Sequence, residues 1–120
     1  MENRNTITLN GQAVSVSVSV FLFKEGEVFI AYCPSLDLSG YDTTEDKARA
    51  DFEYILQEWL QEQVTNGTLQ EDLTRYGWKI EHGGATEPTV EEILQRNRSA
   101  SKVFELPEFR KTNVHAGLYC

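Results

Sequence analysis

The sequence predicts an α+β fold: a β-hairpin with a third strand, an amphipathic helix laid across them, a further strand, and then a helix and an extended C-terminal arm. Three observations carry this. Valines at every second position from Val14 to Val20 mark a long strand. Apolar residues at helical spacing from Ala48 to Val64 mark a long helix. A turn signal at Lys24-Glu25-Gly26-Glu27 joins the long strand to a second apolar run, Val28 to Cys33. The 120 residues suit one domain able to bury its own core. With 40% hydrophobic and 25% charged residues, the composition is that of a globular chain.

Each element has a local reason. Thr6 to Leu9 alternates, and Asn10-Gly11 is a turn signal. Val14, Val16, Val18, Val20 and Leu22 then share one strand face, with Ser15, Ser17 and Ser19 on the other. That serine face is expected to meet solvent or a polar partner. Gly26 can take the positive φ of a tight turn, and Pro34, lacking an N–H, ends the returning strand. Leu36, Leu38 and Gly40 suggest a third short strand. Thr43 is the expected helix N-cap, with Glu45 and Asp46 in the first turn and Asp46 at the capping-box position. Ala48, Phe52, Ile55, Leu56, Trp59, Leu60 and Val64 form the apolar face, and Asn66-Gly67 is the stop. A short helix is expected over Leu69–Tyr76, a strand over Trp78–Glu81, and punctuation at Gly83-Gly84. A second helix begins at Thr89, with Glu92 completing a capping box and Arg96 and Arg98 at its basic end. Lys102–Leu106 reads as a strand or extended arm, stopped by Pro107. Residues 1–85 are therefore expected to form the α+β domain. Residues 86–120 are expected to form a helix and extended arm that is not an independent domain.

The charge bears on function. Eleven Lys and Arg against nineteen Asp and Glu give a net charge of −8, the wrong sign for a protein that coats nucleic acid. Seven acids against two bases fall between Asp42 and Asn66. Such a segment steers basic partners. The start of the chain is polar and no apolar run approaches the length of a membrane span, so a cytoplasmic protein is expected. Cys33 and Cys120 make no disulfide framework, and Cys33 reads as a small buried hydrophobe. Cys33, His82, His115 and Cys120 match no zinc spacing. Neither histidine sits in a nucleophile motif, and no phosphate-binding glycine loop occurs. The expectation is a protein that is not an enzyme and needs no cofactor. On the long helix, Asp51, Glu58 and Glu62 fall within one narrow stripe flanking the apolar face, with Tyr54 and Lys47 beside them; Asp51, Tyr54, Glu58 and Glu62 are the candidate contact residues. This stripe is the candidate partner-binding surface, its alternative being solvated helix flank.

Two stretches carry a family resemblance. Val28-Phe29-Ile30-Ala31-Tyr32-Cys33-Pro34-Ser35-Leu36-Asp37-Leu38, followed by Tyr41-Asp42-Thr43-Thr44-Glu45-Asp46-Lys47-Ala48, resembles the HicB-like antitoxin family. Its members carry an aromatic-Val-Ala-Tyr-Cys-Pro-Glu-Leu strand and loop and a Gly-Asp-Thr-x-Glu-Glu-Ala helix start. The likeness runs over about residues 14 to 65. It implies a truncated ribonuclease-H-like β-β-β-α-β arrangement without an acidic active site, its last strand coming from Trp78–Glu81 or Val103–Leu106. It also implies a small basic RNA-cleaving HicA-type toxin as partner, and homo-oligomers. A stand-alone oligomeric HicB-like interaction or ligand-binding module is the alternative. Many relatives add a DNA-binding helical segment. After Gly84 this sequence shows one helix and then extended chain with no recognition helix, so operator-DNA binding through the C-terminal arm is a third and weaker reading.

Overall fold

A computed structural model describes residues 6–10, 13–81, 84–96, 102, 105 and 109–119. The fold is α+β. Strands β1 (Thr6–Asn10), β2 (Ala13–Glu25), β3 (Val28–Cys33) and β4 (Leu38–Asp42) precede helices α1 (Glu45–Asn66) and α2 (Leu69–Arg75). Then come β5 (Lys79–Glu81), β6 (Gly84–Thr86), α3 (Val90–Arg96) and β7 (Arg110–Tyr119). All seven strands of the described residues join one antiparallel sheet.

The long valine strand organises that sheet. β7 pairs with β2 from Ala13 to Leu22 and so occupies one of its edges. β1 pairs with Ala13–Val16 and β3 with Phe21–Glu25. A strand has two edges, so β1 and β3 share the one opposite β7. The sheet therefore forks along β2. One branch continues through β3 to β4, the other through β1 to β6 and β5.

The valines dictate what covers the sheet. Val14, Val16, Val18, Val20 and Leu22 are buried, and Ala48, Phe52, Leu56 and Leu60 of α1 close over that face. Burial of such side chains contributes roughly 1.5–3 kcal/mol each. Ser15 is exposed and Ser17 and Ser19 half-buried on the opposite face, which follows the alternation. At Gly40, β4 runs against the helix backbone itself: a Cβ there would lie 2.6 Å from the Phe52 nitrogen. At the other side of the helix, Arg49 and Gln57 donate to the β7 carbonyls of Asn113 and Gly117 (3.3 and 2.8 Å).

Several local expectations shift. The N-cap of α1 is Thr44 and not Thr43, because the Asp42 carboxylate takes both the backbone N–H and the hydroxyl of Thr43. Thr44 Oγ1 accepts from the Lys47 N–H at 3.2 Å, which puts Lys47 where the capping box would need an acid. Gly67, at φ 69°, closes the helix as expected, its N–H and that of Thr68 reaching Val64 and Gln63. β2 runs on to Glu25, leaving Gly26-Glu27 as a two-residue turn with Gly26 at φ 63°. Leu36 lies in the turn before β4 and is buried there. Trp78 precedes β5 and is buried, and Gly84 opens β6. The capping box at α3 forms as expected, Thr89 and Glu92 each accepting the other's N–H.

The C-terminal region differs most. Most of Lys102–Leu106 lies outside the described residues, and its described members, Lys102 and Glu105, share a turn hydrogen bond of 3.3 Å. The last strand of the chain is β7, which inserts Val114 beside Val18 in the core. Residues 110–119 thus complete the main sheet. Arg98, His82 and Cys120 lie outside the described residues.

Candidate functional site

Three regions hold the polar chemistry of the molecule: the outer flank of α1 with β4, the crotch of the forked sheet, and the surface clefts.

On α1, the apolar positions turn inward, so the stripe of Asp51, Tyr54, Glu58 and Glu62 faces out. Tyr54, Glu58 and Glu62 are exposed and Asp51 is half-buried. The Asp51 carboxylate accepts the backbone N–H of Tyr41 at 3.0 Å. β4 ends the sheet on this side, so that bond satisfies one donor of its outer edge. It also ties the acidic stripe to a residue that the helical spacing does not include. Tyr41 and Tyr54 are 67% and 66% exposed, the largest exposures among the described large hydrophobic side chains. Tyr54 bonds Glu58, and this bond together with the carboxylate charge raises its phenol above the usual tyrosine range. The Tyr54 ring is therefore presented as a neutral, amphipathic surface beside a carboxylate. Arg49 pairs with Glu53 one turn along, at 3.5 Å.

The crotch of the fork is polar and buried. Between the β2 residues taken by β1 and those taken by β3, the ladder gives way to a side chain. Glu87, 7% exposed, accepts the Ser19 N–H at 3.0 Å, the Ser19 hydroxyl at 2.9 Å and the Ser35 hydroxyl at 2.5 Å. Trp78 Nε1 donates to the Ser35 carbonyl at 2.9 Å, and Cys33 Sγ lies 3.3 Å from Ser35 Oγ. Burial pushes the Cys33 thiol up to about 12, with the Ser35 hydrogen bond opposing it and the Glu87 charge adding to it. The cluster links β2, the β3–β4 turn, the stretch after α2 and the stretch after β6. Among the described residues, no buried side-chain nitrogen or oxygen is left without a hydrogen bond. A thiol held neutral and a carboxylate already accepting three hydrogen bonds form a structural junction, with no free base beside a nucleophile. Sequence reasoning missed Glu87, which sits in an unremarkable loop between β6 and α3. The one available signal is an acid placed directly before a proline and a helix cap.

Two clefts open on the surface of the described residues. One, about 420 Å³, is lined by Pro34, Asp37, Arg75, Tyr76, Ile93 and Arg96. Arg75 pairs with Asp72 at 2.9 Å, and Arg96 donates to the Arg75 carbonyl at 3.2 Å. The other, about 680 Å³, lies between the β2–β3 hairpin and the start of β7. Among the described residues, no group of three or more His, Cys, Asp and Glu side chains is arranged to hold a metal. No described helix is long and apolar enough to cross a membrane.

Comparison with protein families, curated proteins and solved structures finds no match to this chain. Its function is therefore argued from its own surfaces.

Proposed function

We propose that this chain is a HicB-like antitoxin that binds and neutralises a small basic RNA-cleaving toxin of the HicA type through protein–protein contact. The observation that carries the reading is the pair of exposed tyrosines, Tyr41 on β4 and Tyr54 on α1. Asp51 accepts the backbone N–H of Tyr41, and Tyr54 follows Asp51 on the outer stripe of α1 with Glu58 and Glu62. Tyrosine is enriched at the energetic centres of interfaces, because it buries a large rigid area at little entropic cost and keeps a polar tip. Carboxylates around such a centre favour a cationic partner and speed its encounter. A net charge of −8, concentrated between Asp42 and Asn66, points the same way. The strand, turn and helix start quoted above supply the family likeness. On this reading the antitoxin acts by covering the toxin's RNA-binding surface and performs no chemistry itself.

The test is co-expression with a small basic protein encoded beside this chain, followed by purification and an RNA-cleavage assay. The reading expects a stable complex and loss of cleavage on adding the chain. Recovery of the chain as a self-associated species alone, with cleavage undiminished, contradicts it.

A further inference from the structure

The 680 Å³ cleft is separate from the tyrosine surface in its residues and in its chemistry. It is lined by Leu22, Phe23, Lys24, Phe29, Phe109 and Arg110, with Glu45 at the start of α1. It arises from a step in the sheet. The pairing of β7 with β2 begins at Arg110 opposite Leu22, while β2 runs on to Glu25, paired there with β3 alone among the described residues. The step brings side chains from both sheet faces to one opening. Three phenylalanines and a leucine make its walls. Phe109 is fixed edge-on against the buried Phe21, with ring centroids 5.7 Å apart.

Two of the eleven basic side chains of an acidic protein meet here. The Lys24 ammonium lies 5.6 Å from the Phe29 ring centroid, a cation–π placement that holds it over the wall. Arg110 is held by Glu45. One carboxylate engages part of a guanidinium that carries five N–H donors, so the fork keeps donors to offer. The lining charges sum to one net positive. That balance suits a single negative charge; Glu45 opposes a second one. The size is in the range of small-molecule sites, and the walls provide aromatic faces and edges.

We propose that this cleft binds small aromatic monocarboxylates, with the ring among Phe23, Phe29 and Phe109 and the carboxylate between Lys24 and Arg110. The experiment is an amide NMR titration of the full chain with 2-naphthoate. The amine 2-naphthylmethylamine serves as the probe of opposite charge and similar body. Saturable shifts are expected at Phe23, Lys24, Phe29, Phe109 and Arg110 with the carboxylate and not with the amine. Lys24→Glu should weaken binding by about tenfold or more, leaving the remaining spectrum unchanged. Lys24→Gln should weaken it less, and it carries the comparison if Lys24→Glu disturbs distant signals. Absence of saturable shifts with 2-naphthoate overturns the proposal. So does equal binding of the amine, or unaltered affinity in both Lys24 variants. None of these outcomes depends on a toxin partner.

Discussion

Glu87 shows how one residue can hold a topology together. A forked sheet leaves backbone groups of β2 where neither β1 nor β3 reaches, and a buried N–H without an acceptor costs about 1–3 kcal/mol. The Glu87 carboxylate meets the Ser19 N–H and two hydroxyls at that point. Glu87→Ala should therefore destabilise the fold by on the order of 3 kcal/mol, read as a lower urea midpoint at unchanged slope. Glu87→Gln, which keeps the shape and one acceptor, should cost less. An alanine variant as stable as the parent would show that the junction is dispensable. Cys33 belongs to the same cluster. Its thiol should resist alkylation at mildly alkaline pH in the folded chain and react on addition of denaturant, as mapped by mass spectrometry of its peptide. The pH dependence has a definite sign. The unfolded chain releases this proton near 9.0 and the folded chain near about 12. Below 9 the contribution to stability is whole; as pH rises from 9 towards 12 it is lost.

At the scale of elements, what could be read from the sequence was set by the strength of each pattern. Five alternating apolar residues fix β2, and seven residues at helical spacing fix α1, because each forms a continuous apolar face. The α1 stop was legible because Gly67 takes the left-handed conformation there. Its start was misplaced by one residue: two threonines stand side by side, and only the Asp42 side chain decides between them. Thr44→Ala should cost about 1 kcal/mol and Thr43→Ala less, in paired chemical unfolding curves. The reverse order would return the cap to Thr43. β7 was illegible for a different reason. Its inward residues, Thr112, Val114 and Ala116, are small or partly polar, so their alternation is faint. Its place in the sheet comes from pairing with β2, a long-range interaction absent from local pattern. A chain truncated before Phe109 strips β2 of its pairing from Ala13 to Leu22 on one edge and uncovers the core around Val18 and Val20. It should lose its cooperative thermal transition and its amide chemical-shift dispersion; a truncated chain with both intact would contradict the seven-stranded arrangement.

The whole molecule is an acidic platform, with α1 covering one branch of a forked sheet and a polar junction locking the other branch to it. The stripe of Asp51, Tyr54, Glu58 and Glu62 was visible from helical spacing. Tyr41 was not, since only its backbone meets the stripe, through the packing of β4 against α1 and the bond to Asp51. The functional claim rests on those two tyrosines acting together with the carboxylates. Its most direct measurement is a calorimetric titration of the proposed basic toxin with the parent chain and with the Tyr41→Ala/Tyr54→Ala double variant. The double variant should keep its fold, because both rings are exposed. It should lose at least about 2 kcal/mol of binding free energy, a factor of roughly thirty in affinity. Equal affinity for the two chains would contradict a binding centre on this surface.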